Sequence, residues 1–401
     1  MRLQRLRTLA VLGGGVILLC GLVAGPASAD EPAYTVVASG LNNPRNLTTS
    51  PDGGLYVAEA GTGGPQSDSC FVASAGANVC PGDTGSITKI TAGAHGWHQQ
   101  RVLTGLPSLA PPPGSTDPRS GADTSGTDAA GPSGLVVTGQ RYTVAVGFGA
   151  GCGTEGSGGA GPDPSCNPAA EHSLSPLFGT LVSGAFPSHS GPRVLADIAT
   201  HEFATNPIDN PDSNPVFVSR SGSNYVVADA GGNTIVRASA SGQMTTVAQF
   251  PSVMVQNPFA PEGVMMPMQF VATSAVQGPD GALYVSQLTG FPFPQGGSTI
   301  WRVQAGHAPT AYATGLTNVT SLAFAPDGSL YAVEIYEHGL LAGGPGALVH
   351  IPRGGGTATV VAGGLPAPYG VALQAGSAYV TTNSSSPSVG QVIRIPLGAD
   401  D

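Results

Sequence analysis

From Thr35 onward the chain is a succession of short apolar runs, rich in β-branched residues and tyrosine, separated by clusters of Gly, Pro, Asn, Asp and Ser. That pattern predicts many short strands joined by tight turns. The runs also repeat. One unit reads Gly-Leu-x-x-Pro, an apolar strand, Pro-Asp-Gly, a Leu-Tyr-Val strand, a loop and an Ile-x-x-Ile strand. It is seen at Gly40-Leu41, Pro51-Asp52-Gly53, Leu55-Tyr56-Val57 and Ile87-Thr88-Lys89-Ile90. The same order returns at Pro279-Asp280-Gly281 with Leu283-Tyr284-Val285, and at Pro326-Asp327-Gly328 with Leu330-Tyr331-Ala332. Asp-Gly between alternating runs is a strong hairpin signal, because glycine accepts the positive φ of the tight turn. Weaker copies centre on Tyr142, Tyr225 and Tyr379. Their unequal spacing implies insertions within a common four-stranded unit.

Six such units predict an all-β fold, a six-bladed β-propeller of four-stranded blades. An outer-strand segment follows the third strand of a unit, as in Arg101-Val102-Leu103 and Thr359-Val360-Val361. The mature N-terminus opens with the same element, Thr35-Val36-Val37-Ala38, with no blade before it, and the C-terminus ends on a third strand, Val392-Ile393-Arg394-Ile395. Residues 34–38 are therefore expected beside 391–395, completing the last blade and leaving no open edge. With strands named a to d from axis to rim, the b–c and d–a loops share one face. The long insertions fall there, at about 61–84, 105–132, 148–177, 250–270, 288–298 and 335–346. The opposite face has only tight turns, so binding is expected on the decorated face.

Composition narrows the function. Arg2, Arg5 and Arg7, the uncharged apolar run Thr8 to Gly25 and Ala27-Ser28-Ala29 predict a secretory signal peptide over residues 1–29, with one propeller domain over 30–401. The rival reading is a lipid anchor at Cys20. No later stretch predicts a membrane span, and a secreted, extracellular, monomeric protein is expected. The chain carries 14 Lys and Arg against 24 Asp and Glu, a net charge of −10, which argues against nucleic acid. A single lysine, Lys89, argues against Schiff-base and phosphate-loop chemistry. Charged residues make up only 9% of the chain, which disfavours solvent-facing helices. The four cysteines after the signal, Cys70, Cys80, Cys152 and Cys166, are expected as two local disulfides, with zinc as the alternative.

The b strands end in similar tails, which place Glu59, Asp229 and Glu334 at equivalent points of alternate blades, with Gln287 in blade four and Asn383 in blade six. Two readings stay open. The three carboxylates could converge on the axis and hold a hard cation such as Ca²⁺, helped by Gln287 and Asn383. Alternatively they pair with Arg45, which begins strand a of blade one, or cap loop amides. A second acidic loop, Asp209, Asp212 and Asn214, allows calcium or simple Asx-turns, and Asp229 with Asn233 is expected to form a short b–c turn. Phe291 and Phe293, in an aromatic-proline loop, could stack on a ligand or pack against Met265–Met268. His95 and His98 fall at a turn of the plain face. No Gly-x-Ser-x-Gly elbow is present, and no catalytic residue is assigned.

In order, Leu41-Asn42-Asn43-Pro44-Arg45, Val57-Ala58-Glu59-Ala60-Gly61, Asp212-Ser213-Asn214-Pro215, Val227-Ala228-Asp229-Ala230-Gly231-Gly232-Asn233 and Thr289-Gly290-Phe291-Pro292-Phe293-Pro294 resemble the ScyD/ScyE family of secreted, NHL-like propellers. The resemblance implies fold and export and transfers no catalytic residue. The leading functional expectation is a binding module that takes a small molecule, glycan or protein on the decorated face. A metal-dependent hydrolase or lyase using Glu59, Asp229 and Glu334 is the second, and a structural role in the cell envelope the third.

Overall fold

The three Pro-Asp-Gly turns all close in one way in the computed structural model. Gly53, Gly281 and Gly328 adopt φ of 82°, 80° and 89°. Each donates its amide three residues back, to the carbonyls of Ser50, Gly278 and Ala325. A side chain in that left-handed conformation would be strained, which is why glycine stands there. The structure describes residues 34–72, 77–148, 150–151, 174–187, 191–206 and 212–398.

These hairpins assemble into six antiparallel blades. Blade one joins strands a (Pro44–Thr49), b (Leu55–Glu59), c (Asn78–Gly93) and d (Gly96–Ala110). Blade two comprises Pro132–Thr138, Arg141–Val146, Thr180–Ala185 and Arg193–Asp197, and blade three Pro215–Ser221, Asn224–Asp229, Thr234–Ala238 and Met244–Gln249. Blade four is Ala272–Gln277, Leu283–Gln287, Ser298–Val303 and Thr310–Leu316, and blade five Val319–Phe324, Leu330–Glu334, Pro345–Ile351 and Thr359–Pro366. Blade six takes its a, b and c strands from Val371–Gln374, Ser377–Thr382 and Gly390–Pro396. Its outer strand is the N-terminal Thr35–Leu41, with Thr35 opposite Arg394 and Leu41 opposite Gly390. The expected closure is present, in the expected register region.

The core lies in the seams between blades. Strand b tyrosines Tyr56, Tyr142, Tyr284, Tyr331 and Tyr379 are all buried there. Side chains of strands a and b also bond the next blade's backbone. Ser219 donates to Ala275 O (2.6 Å), Thr273 to Val319 O (2.7 Å), Thr320 to Tyr369 O (2.6 Å) and Thr381 to Arg45 O (2.8 Å). These bonds satisfy buried hydroxyls and register one blade against the next.

Two loops are shorter than the sequence suggests. In blade one, strands c and d run on as a hairpin above the decorated face, Cys80 facing Ala110, so the ordered insertions shrink at both 61–84 and 105–132. The Cys70–Cys80 disulfide ties the base of this hairpin to the preceding loop; Cys152 and Cys166 lie outside the described residues. The connection at 250–270 contains its own hairpin, Val253–Gln256 against Met265–Met268. A helix, α1 (Ile198–Thr205), was not expected. It occupies the connector into blade three, and Asp197 caps it by accepting from Thr200 N at 2.9 Å.

Candidate functional site

Glu59, Asp229 and Glu334 each end a b strand, and each turns its carboxylate to the connector that leads into its own blade. Glu59 accepts from Asn42 N (2.8 Å), Asp229 from Asn214 N (2.6 Å) and Glu334 from Thr317 N (2.6 Å). Each bonded residue lies two or fewer positions before strand a. A connector amide buried at this point has no strand partner, and the carboxylate supplies the missing acceptor. The expected convergence on the axis does not occur. Among the described residues no group of three or more His, Cys, Asp or Glu side chains is placed to hold a metal ion.

The pairing with Arg45 is corrected as well. Glu59 is fully buried and is neutralised from the rim by Arg101 of strand d, whose Nη2 and Nε stand 2.7 and 3.1 Å from the carboxylate, while Thr88 donates its hydroxyl at 2.5 Å. Arg101 is 42% exposed, so water moderates its contribution. Arg101→Met is nevertheless expected to destabilise the fold by about 2 kcal/mol, because it strips a charge-assisted partner from a buried carboxylate. Urea unfolding against the parent measures this, and a loss below about 0.5 kcal/mol would show that the pair is dispensable.

Arg45 stands elsewhere. Its Nη2 donates to Ala129 O at 2.8 Å and its guanidinium lies 5.1 Å from the centre of the Tyr369 ring. Both line a cavity of about 210 Å³ at the decorated end of the central channel. Asp128, Ser133, Val216 and Thr273 complete its principal walls, so blades one to four and six all contribute. No carboxylate of the described residues forms an ion pair with Arg45. Burial raises the Tyr369 phenol above its ordinary value while Arg45 opposes the shift, which keeps that hydroxyl a donor. Burial likewise raises Tyr336, with Asp128 adding to the shift and Arg45 opposing it. Nearby, Asn46 donates to Val216 O at 3.1 Å, and its buried Oδ1 has no partner.

The remaining candidates hold loops in place. Asn233, at φ 55°, accepts from Val271 N at 2.7 Å and so fixes the connector into blade four. Gln287 accepts from the Trp301 indole at 3.3 Å, and Asn383, at φ 50°, donates to Val389 O at 3.3 Å. Phe291 stacks on Phe259, the centroids 5.7 Å apart, and meets Phe293 edge-on at 6.1 Å. Phe259 belongs to the hairpin that contains Met265–Met268, so the aromatic loop is occupied by packing between two insertions. Of the second acidic loop, Asp209 lies outside the described residues, while Asn214 accepts from Phe148 N at 3.2 Å and lines the channel cavity.

Asp212 has an acidic neighbour in helix α1. Glu202 of α1 is buried, its carboxylate bonded by Asn206 and by Thr234 Oγ1 (3.2 Å) beneath Gly232. A Cβ on Gly232 would come within 2.4 Å of that carboxylate, so only glycine admits it. Burial, then the charge of Asp229, with a smaller push from Asp212, raises Glu202 to about 7. Tyr369, Ser133 and Thr273 were missed. They occupy ordinary positions at or just before strand a, and only their recurrence at the same point of successive repeats could have marked them.

No protein-family model matches the sequence, and no curated protein matches it. Solved structures similar to it are propellers with few identical residues. A virginiamycin B lyase from Staphylococcus aureus has a TM-score of 0.46 at 11% identity, covering 91% of this chain and 98% of that one. A streptogramin B lyase gives 0.43 at 12%, covering 91% and 97%. The PQQ-bound aldose sugar dehydrogenase from Streptomyces coelicolor gives 0.43 at 17%, covering 68% and 79%. The blade count rests on the strand pairing itself, and this chain is a six-bladed β-propeller.

Proposed function

We propose that this is a secreted ligand-binding propeller of the ScyD/ScyE type, which takes a small polar ligand at the mouth of its central channel on the decorated face. The observation that carries this reading is Arg45. Its guanidinium stands at a concave site with one protein acceptor and an aromatic face, and no carboxylate of the described residues neutralises it. An arginine offers five donors in a fixed fork, and a ligand carboxylate or carbonyl would use those that Ala129 leaves free. Tyr369 and Ser133 add hydroxyls, and Asp128, next to the Ala129 that Arg45 bonds, favours a ligand that also donates, such as a hydroxy acid or an amino acid. A cavity of about 210 Å³ suits a compact ligand.

The test is a melting-temperature screen with small hydroxy acids, amino acids and sugars, run on the parent and on Arg45→Met. A ligand at a hundred times its Kd stabilises the fold by about 2.7 kcal/mol. A hydroxy or amino acid should shift the parent and leave the variant unmoved. Equal shifts in both proteins, or none in either, would remove the channel mouth as the site.

A further inference from the structure

A cluster of arginines lies on the plain face, away from the channel mouth. Between blades two and three a cleft of about 420 Å³ is lined by Arg141, Arg193 and Arg220. They come from three different strands, at the plain-face ends of strands b and d of blade two and strand a of blade three. Acids outnumber bases 24 to 14 in this chain, yet three arginines share one cleft and no carboxylate lines it. Among the described residues the side chains of Arg141 and Arg193 have neither an ion-pair nor a hydrogen-bond partner. Arg220 lies over the ring of Tyr225, 4.7 Å from its centre.

The three arginines are exposed, so water moderates their mutual repulsion, yet like charges gathered in a concavity still favour an anion there. Lys89 pairs with Asp52 at 2.8 Å and Arg302 with Asp280 at 2.7 Å. Among the described residues no carboxylate does the same for the three cleft arginines, and an external anion would supply that partner. The rest of its lining defines the ligand further. Thr138, Thr143, Ser183 and Ser223 contribute hydroxyls, and Val136 and Leu195 an apolar floor. We infer that this cleft binds an anionic sugar, with Arg141, Arg193 and Arg220 clamping its carboxylate, sulfate or phosphate. The hydroxyls and floor meet the ring. Paired N–H donors of arginine match the two oxygens of such a group. The site is independent of the channel mouth and stands or falls separately from it.

The test is calorimetric titration of the full protein at low salt with an oligogalacturonate, a sulfated oligosaccharide, a neutral oligosaccharide of equal length and inorganic sulfate. At least one anionic oligosaccharide should bind. The single variants Arg141→Gln, Arg193→Gln and Arg220→Gln should each weaken it about tenfold, and the triple variant should abolish it. Relief of like-charge repulsion should leave the unliganded triple variant melting at or above the parent's temperature, which separates lost binding from lost folding. Arg353→Gln, at an exposed arginine outside both sites, should bind these sugars unchanged. The inference is overturned if no anionic oligosaccharide binds, if the neutral one binds equally well, or if the triple variant binds like the parent. Inorganic sulfate binding as tightly as the oligosaccharides would likewise overturn the assignment to a sugar.

Discussion

Protein produced without Thr35–Leu41 is expected to lose cooperative unfolding altogether and to aggregate. That strand pairs with the Gly390–Pro396 strand along its whole length and buries Val37, Ala38 and Leu41 against the first and last blades. Burying a valine or leucine side chain stabilises by about 1.5–3 kcal/mol. Its absence would also expose Val392 and an unpaired strand edge. Further contacts hang from the same segment: Gln99 of blade one bonds the backbone of Ser39 at both ends, at 2.9 and 2.8 Å, and Arg101 reaches Gly40 O at 3.3 Å. The combined loss is comparable with the whole stability of a typical domain, about 5–15 kcal/mol. Circular dichroism and light scattering on the deleted chain check this. A soluble, cooperatively melting product would mean that the ring does not depend on its seam.

Glu202 is expected to contribute a fall in stability of about 3 kcal/mol between pH 4.5 and pH 7, and Glu202→Gln to remove that share of the pH dependence. The Glu202 carboxyl is raised from 4.5 to about 7 by burial and by Asp229. Below pH 4.5 it holds its proton in both the folded and the unfolded chain, and its contribution is at its largest. Between the two values the folded protein keeps a proton that the unfolded chain has released. Each pH unit then costs the folded state about 1.4 kcal/mol. Above pH 7 both states are ionised and the contribution is lost. Asp229 and Glu334 are raised by burial and act in the same direction, whereas His201, lowered by burial, acts oppositely. Comparing the parent with Glu202→Gln isolates the single group. Urea unfolding at several pH values provides the readout, and parallel curves for the two proteins would refute the assignment.

The blades were legible because their signals are local. A Pro-Asp-Gly turn between two alternating runs states its own conformation, and Thr35-Val36-Val37 stood out as an outer strand without a sheet. The site was legible only as a location. Aligning Glu59, Asp229 and Glu334 on the repeat found their common position. Their direction is set by the amides of Asn42, Asn214 and Thr317, and the need of those amides for an acceptor appears only once the connectors are in place. Arg101 was visible as a strand d residue. Its charge reaches Glu59 because it sits opposite Thr88, in a register that runs unbroken from the tight turn between Gly93 and Gly96, and that contact appears only once strands b, c and d are paired. Helix α1 escaped because Ile198–Thr205 has no charged outer face, and much of one side is buried. The arginine cleft was hidden for a similar reason. Arg141, Arg193 and Arg220 are widely separated in sequence and become neighbours only through the packing of two blades.

The seam also fixes when this protein can exist as a folded object. Asn42 accepts from Ser388, 346 residues further along the chain. Contacts this remote are slow to form, and here they await the synthesis of Gly390–Pro396. A nascent chain holding five blades still carries an unmatched strand at one end and an incomplete sheet at the other, both open to edge pairing with a neighbouring chain. Synthesis therefore leaves a window in which a holding chaperone has exposed edges to cover, and that window closes only when the Gly390–Pro396 strand arrives.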